Sequence, residues 1–439
     1  MGSQPDTITK IAVRGFKSIA DEQEIELRPL TLLAGANSSG KSSIMQPILL
    51  LKQTLEAPSD PGALLLDGPN VRFASAEQLL SQTTGRPREM EFAIRIELLK
   101  SRYLEVVLKH EKATGFDVDQ MNYYYGRRKL QLVPGMSENE VLSILPTGLK
   151  AFHARAVKTM SESFFWSMQR ERCFLSFGLS NRNTGSVLAL GSISPPSSNF
   201  IPHLQRMIHL PGLRRNPQRT YPRRAAGPLF PGTFEDYVAS MISQWQYRED
   251  PRLLQLGATL ENMGLTWKVR AEPVDDTQVE LRVGRLPHGK QDGEHDLVSV
   301  ADVGVGVSQS LPVLVALVAA EPGQVVYLEQ PEIHLHPRAQ RRLAHVLADA
   351  ANRGVIVVAE THSSLLLREV QTLVATGKLA TDKVKLHWFQ RQEDGRTVVT
   401  AADLDENGAF GDWPEDFDEV ELDAERAYLD AVERKGTGE

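Results

Sequence analysis

Apolar positions in ITKIAVRGF and DEQEIELRPLTLLAG alternate or cluster as they do in strands, and the second stretch runs straight into a glycine-bearing loop. Beyond that loop, KSSIMQPILLLKQTLEA spaces its apolar residues for a helix. Strand character returns between about residues 90 and 133 in MEFAIRIELL, YLEVVLKHE and RKLQLVP, with polar turns between them, and predicts an antiparallel subdomain. Residues 137–263 read as mainly helical, broken by SISPPSSNF and by the arginine-rich LRRNPQRTYPRR, and are expected to form an inserted lobe. Strands resume in LTWKVRAEPV, QVELRVGRL and HDLVSVADVGVG. A buried helix (VSQSLPVLVALVAA), a buried strand (QVVYLEQ), an amphipathic helix (PRAQRRLAHVLADAAN), a buried strand (GVIVVAETHS) and a helix (SSLLLREVQTLVATG) follow in turn. This alternation predicts an α/β sheet with crossovers on its faces. From residue 401 the chain turns acidic, DLDENGAFGDWPEDFDEVELDAE carrying eleven Asp and Glu.

Length and composition bound the picture further. At 439 residues the chain exceeds the size at which a single core stops growing, so two or three lobes are expected. Apolar residues are 41% and charged residues 24%, ordinary for a globular protein. Lys and Arg total 49 against 56 Asp and Glu, a net charge of -7, so any nucleic-acid surface must be local. The one cysteine, Cys173, rules out an internal disulfide and is read as a buried thiol. The N-terminus lacks the apolar core of a signal peptide, and the longest apolar run, LPVLVALVAA, has ten residues. The expectation is a cytoplasmic protein with no membrane segment.

The loop LLAGANSSGKSS carries the chemistry. Gly35, Asn37, Ser38, Ser39, Gly40, Lys41, Ser42 and Ser43 fit the P-loop spacing of two glycines followed by Lys and a hydroxyl residue. Glycines let successive backbone N–H groups turn inward onto phosphate oxygens, and the helix that starts near Lys41 aims its positive end at the same anion. Lys41 is expected to bridge the outer phosphates and Ser42 to bind Mg²⁺.

A P-loop alone does not distinguish a kinase from a GTPase or a motor. In VVYLEQPEIHLHP an apolar strand ends at Glu329, where a strand beside the P-loop strand would offer a carboxylate to the metal; Gln330 follows it. His334 and His336 invite a metal reading, but no third ligand group stands at useful spacing, and a turn leaving the sheet is the simpler reading. His362 ends the next strand, from where an imidazole reaches a terminal phosphate or an attacking water. Gly304 and Gly306 precede the VSQSLPVL helix and form a second anion-binding helix start, or else a turn with no ligand. One nucleotide needs one cradle, so a second makes sense if it closes over the nucleotide of another copy.

Together these residues resemble the ABC-type ATPase heads of the SMC, RecF and OLD families, and most closely the AAA-fifteen group of compact bacterial ATPases that end in a dWP.gF segment. The resemblance rests on RGFKSIADEQEIEL, LLAGANSSGKSSIMQPILLLKQ, HLPGLRRNPQRTYPR, DVGVGVSQSLPVL, YLEQPEIHLHPRAQ, ETHSS and GDWPEDFDE. It implies an α/β fold: an ABC/SMC-type P-loop ATPase head with a mixed sheet, an antiparallel subdomain and an inserted helical lobe. Residues 1–136 would form the first part of the head, 137–263 the lobe with the arginine-rich loop, 264–400 the second part of the head, and 401–439 an acidic segment. It further implies ATP and Mg²⁺ as cofactors, Glu329 as the metal-side acid, Gly304 and Gly306 as the signature that contacts nucleotide on the opposite copy, His362 as the switch histidine, and Lys17 and Ser18 beside the nucleotide.

Two departures stand out. The usual signature serine is Gly304, and the residue after the metal-side acid, a water-polarising glutamate in many relatives, is Gln330. An amide orients water without accepting its proton, so turnover is expected to be slow, with Glu332 or His362 as substitutes. The resemblance implies an ATPase that self-assembles around ATP and controls a separately encoded nuclease or toxin, as in Septu- or PARIS-type anti-phage defence. A RecF-like DNA-repair ATPase and a nearly non-hydrolysing ATP-gated scaffold remain alternatives. Arg214, Arg215, Arg219, Arg223 and Arg224, with Tyr221, suit phosphate of nucleic acid or nucleotide, or an ion-paired surface loop. Trp413 and Phe417 offer apolar anchors within the acidic tail, and Gln78 is a candidate for the glutamine that senses the nucleotide.

Overall fold

A computed structural model of the chain describes residues 6–99, 102–125, 128–145, 150, 164–181, 184, 187–188, 196–225, 227–286, 288–289 and 296–411. Strand β1 (Ile8–Arg14) pairs antiparallel with β2 (Gln23–Glu26), and β3 (Leu30–Gly35) runs through the glycine loop into α1 (Lys41–Glu56). Four strands follow: β4 (Glu91–Leu98), β5 (Arg102–Glu111), β6 (Gly115–Tyr125) and β7 (Arg128–Leu132). They extend the first pair into one antiparallel sheet, β2-β1-β4-β5-β6-β7.

The described part of residues 137–263 departs from the mainly helical expectation. After α2 (Glu138–Ile144) comes a hairpin of β8 (Phe164–Glu171) and β9 (Phe174–Asn181), with β10 (Val187–Leu188) on its edge. Large apolar residues crowd both arms of the hairpin, which hides the alternation that a half-buried strand normally shows. After α3 (Ile201–Arg206), β11 (Ile208–Leu210) joins the sheet that contains β3 through parallel pairing. Three residues are too few to carry a period. Then come β12 (Tyr221–Pro222), α4 (Val238–Tyr247) and α5 (Pro251–Asn262).

The rest follows the predicted alternation. β13 (Val269–Pro273), β14 (Gln278–Gly284) and β15 (Leu297–Ser299) form a small antiparallel sheet with β12. Helix α6 (Val305–Ala319), β16 (Val325–Glu329), α7 (Pro337–Asn352), β17 (Ile356–Glu360) and α8 (Ser364–Ala375) then alternate. Two closing strands, β18 (Val384–Arg391) and β19 (Thr397–Ala402), complete a sheet of order β11-β16-β17-β3-β18-β19, parallel except at β19.

Each face of this sheet belongs to its own core. Leu30, Leu32, Val326, Leu328, Val357 and Ala359 pack with α4 to α8 on one side. Leu33, Val325, Tyr327, Val358 and Phe389 pack with α1 and the antiparallel sheet on the other. The strict period of two is what sorts one strand's residues between two cores. Glu329 and Glu360 fall in register at the strand ends, and Glu360 in turn faces Leu33 of β3. The crevice outside these carboxyl ends is where an open parallel sheet takes its ligand. Among the described residues no helix is long and apolar enough to cross a membrane.

Candidate functional site

The loop between β3 and α1 depends on its glycines. Gly35 has φ 143° and Gly40 φ 103°. A Cβ on Gly35 would lie 2.3 Å from the Phe389 carbonyl oxygen, and one on Gly40 2.4 Å from Thr397 Oγ1, so the backbone turns where no side chain fits. Thr397 Oγ1 lies 2.8 Å from both Ser18 Oγ and the Ser39 carbonyl oxygen, so β19 braces the loop. Lys41 Nζ donates to the carbonyls of Gly35 (3.0 Å) and Ala36 (2.8 Å). Burial pushes its pKa down, against the pull of Glu360 and Glu332.

A cleft of about 530 Å³ opens over this loop. Of the sequence-predicted residues, the stretch Asn37 to Ser43, together with Lys17, Ser18, Gln330 and His362, lines it. Lys17 Nζ donates to Gln46 Oε1 at 2.6 Å and sits 4.7 Å from the Phe73 ring centroid, and burial lowers its pKa. Gln78 lines the same cleft, its amide oxygen accepting the Ala74 N–H at 2.8 Å. The cleft also holds Glu360, Arg88 and Arg391, none of them a sequence-predicted site residue. Arg88 and Arg391 carry no motif; their positive charge beside the glycine loop becomes visible only in three dimensions.

The two strand-end acids are placed differently from the expectation. β17, not β16, lies beside the P-loop strand. Ser42 Oγ accordingly donates to Glu360 Oε2 at 2.9 Å, and the Tyr327 hydroxyl donates to Glu360 Oε1. Burial, together with the charge of Glu329, raises the Glu360 carboxyl to about 7. Glu329 is absent from the cleft lining: its Oε1 lies 3.1 Å from His209 Nε2 and its Oε2 accepts the Gly212 N–H at 3.2 Å. Burial pushes Glu329 up, but His209 and Gly212 outweigh it and its pKa falls below the usual range. His209 is itself buried, stacked 5.3 Å from Tyr327, with Nδ1 3.2 Å from Asn70 Oδ1.

Gln330 sits in the left-handed region at φ 43°, its N–H donating to the Glu360 carbonyl at 3.0 Å. Arg214 holds the same turn: Nη2 donates to the carbonyls of Glu329 (3.1 Å) and Gln330 (3.3 Å). Glu332 Oε1 accepts from Thr361 Oγ1 (2.8 Å) and from the His362 N–H (2.9 Å), and burial raises its carboxyl. The His362 imidazole is half-buried; burial, and then the Lys41 charge, lower its pKa.

Other predicted residues lie apart from the cleft. Gly304 caps the start of α6 and, with Gly306, is not among the cleft-lining residues. A Cβ on Gly304 would meet nothing within 4 Å, and Val305 beside it is exposed. The arginine-rich run is largely committed internally. Arg214 is buried, Arg215 and Arg224 pair with Asp236, and Arg219 pairs with Asp302. His336 caps α7, accepting the Arg338 N–H at 3.3 Å, which gives the second histidine of HLHP a structural role. Cys173 is fully buried and burial pushes its thiol up to about 12. Trp413, Phe417 and most of GDWPEDFDE lie outside the described residues.

The donor set fits a phosphate with Mg²⁺. Among the described residues Ser39 Oγ is buried in the loop without a partner, the Ser42 hydroxyl meets a carboxylate, and hard oxygen donors of this kind suit Mg²⁺.

Comparison with known proteins adds sequence and fold. Residues 7–131 match the family model described as an AAA ATPase domain, and residues 229–368 the one described as an AAA domain, putative AbiEii toxin, Type IV TA system. No curated protein matches the chain. An Smc head solved in complex with the C-terminal winged-helix domain of ScpA is similar at 12% identity, over 91% of this chain and 98% of that one, with a TM-score of 0.50. The SMC head domain from Thermotoga maritima is similar at 11% identity, over 90% and 98%, with a TM-score of 0.40. The Smc head with an extended coiled coil from Pyrococcus furiosus shows 12% identity over 91% and 97%, with a TM-score of 0.46. The chain has the fold of an SMC/ABC-type P-loop ATPase head, and two separate stretches of its sequence match AAA-type ATPase domains.

Proposed function

We propose that this protein binds and slowly hydrolyses ATP, assembles by sandwiching ATP between the heads of two copies, and controls a separately encoded nuclease or toxin in bacterial anti-phage defence. One observation carries the reading. The P-loop, Lys41, Ser42, Gln330 and His362 meet at one cleft, while the second glycine-led helix start at Gly304 stands outside it with open space around it. A glycine-led helix start that does not line the P-loop cleft of its own chain is suited to a nucleotide on another copy. Conversion to product needs Lys41 to leave the Gly35 and Ala36 carbonyls for the phosphates, and Gln330 to align a water against the outer phosphate. Ser42 with a strand-end carboxylate would hold Mg²⁺, which when bound would neutralise charge on the phosphoryl oxygens. Control of an effector is supported by the toxin system named in the description of the model matching 229–368, and by the partner domain carried by the Smc head of the same fold.

Gln330 in the cleft favours a second reading, an ATP-gated scaffold with little turnover. Measuring ATP hydrolysis and solution mass for wild type, Lys41→Ala and Gln330→Glu separates the two. The switch reading expects slow turnover in wild type, none in Lys41→Ala, and roughly 10²-fold faster turnover in Gln330→Glu as a general base is restored. A wild type that binds ATP and changes mass with no turnover supports the scaffold. Unaltered turnover in Gln330→Glu removes the amide as the brake.

A further inference from the structure

We propose that the carboxylate serving Ser42 and the divalent metal is Glu360 at the end of β17, and that Glu329 at the end of β16 is withheld from the metal by His209 and Gly212. The proposal rests on the ATP-binding reading above and reassigns one role within it. The topology comes first. β17 lies between β3 and β16, so Glu360 stands one strand spacing from the P-loop strand and Glu329 two, about 4.8 Å farther across the sheet. Contact follows the same order. Ser42 Oγ donates to Glu360 Oε2 at 2.9 Å, and Glu360 lines the nucleotide cleft.

Glu360 is also the better prepared ligand. The Tyr327 hydroxyl occupies Oε1 and fixes the rotation of the carboxyl, which leaves Oε2 toward Ser42. A ligand carboxylate oriented by an outer hydrogen bond is the usual arrangement around a bound metal. Both oxygens of each acid are engaged, but one partner of Glu360 is the cleft residue Ser42, whereas Glu329 is tied to His209 Nε2 at 3.1 Å and the Gly212 N–H at 3.2 Å, neither of them a cleft residue, and its carbonyl is held by Arg214. Turning Glu329 toward the metal would break both contacts and leave His209, a buried imidazole, without that partner. Glu360 is 3% exposed, with the Lys41 ammonium among the charges that act on it. A buried carboxylate held by two hydroxyls gains from a cation placed beside the oxygen that faces Ser42.

The test reads metal dependence, not turnover. A fluorescent ATP analogue is titrated into wild type, Glu360→Gln, Glu329→Gln and Ser42→Ala, first in EDTA and then at rising Mg²⁺, with Mn²⁺ binding followed by electron paramagnetic resonance. Glu360→Gln should weaken apparent metal affinity of the nucleotide complex by roughly tenfold to a hundredfold and leave binding in EDTA within about twofold. Glu329→Gln should keep the wild-type metal dependence. Combining Glu360→Gln with Ser42→Ala should lose little more than either alone, because the two act as one unit. If Glu360→Gln does not fold, Glu360→Asp, which withdraws the carboxylate by one methylene, should show a smaller loss of the same kind. Metal dependence lost in Glu329→Gln and kept in Glu360→Gln overturns the assignment, as does dependence kept in both. A wild type that binds no nucleotide at all removes the ATPase reading itself, a result distinguishable from either.

Discussion

Glu329 and Glu360 have the same residue type and the same strand-end position, and only their neighbours separate them. The sequence marks Glu329 as the end of its strand but carries the next strand on to His362, past Glu360. Which of them meets Ser42 is set by strand order, and strand order does not follow chain order. His209 is equally silent in sequence, because a lone histidine in a three-residue strand has no spacing to announce it. His387 on β18 shows what such burial does to stability. It is 1% exposed, its Nε2 lies 2.9 Å from the Glu26 carbonyl oxygen, and burial pushes its pKa down to about 4. In the unfolded chain the same group titrates near 6.5, so between these values the unfolded state binds the extra proton and stability falls as pH falls. Glu360, raised to about 7, acts in the opposite sense in the same range, so the histidine must be isolated by difference. Urea unfolding of wild type and His387→Gln should show wild type losing about 2 kcal/mol relative to the variant between pH 7.5 and 5. An equal pH dependence in the two proteins would mean that His387 is not held neutral.

At the scale of elements, legibility followed length and periodicity. Helix α7 and the strands β16 and β17 were readable because each carries a sustained pattern, bounded by caps such as His336 and Ser363. The P-loop was readable because glycine at Gly35 and Gly40 is demanded by backbone geometry. The β8–β9 hairpin and β11 escaped, one through aromatic crowding and the other through brevity, and β18 and β19 carried no motif that drew attention. Yet β11 and the loop after it set the turn at the end of β16. Arg214 bridges these elements: its Nη2 reaches two carbonyls there, while Nε and Nη1 have no partner among the described residues. Replacing Arg214 with Met keeps the length and removes the clamp on Gln330. A hydrogen bond from a charged donor contributes roughly 1.5–3 kcal/mol, offset here by relief of the buried charge. The expected result is a modest fall in melting temperature with kcat for ATP reduced about tenfold or more and KM little changed, since Gln330 is misplaced and the P-loop is not. A matched rise in KM with kcat intact would place Arg214 in nucleotide binding instead.

Across the whole molecule, two cores grip opposite faces of one sheet and leave its carboxyl-end crevice open to solvent. The start of α6 is open as well, and this supplies a test that a folding defect cannot mimic. Gly304 has φ -58° and ψ 147°, a conformation any residue adopts, and a Cβ there meets nothing within 4 Å. Gly304→Trp should therefore fold as wild type does, with a melting temperature within about 2 °C. In an ATP-sandwiched pair the same indole would occupy the space where the partner's phosphates approach, so ATP-dependent doubling of mass and ATP turnover should both disappear. Complementation makes the geometry explicit. Lys41→Ala has a damaged P-loop with an intact Gly304, and Gly304→Trp the reverse, so a mixed pair contains one undamaged composite site. Mixing the two inactive proteins should restore turnover to as much as a quarter of the wild-type rate per copy, because about half of randomly formed pairs are mixed and each has one of two sites. Full turnover by Gly304→Trp as a lone copy would show that each chain completes its own site, and that the helix start at Gly304 faces something other than nucleotide.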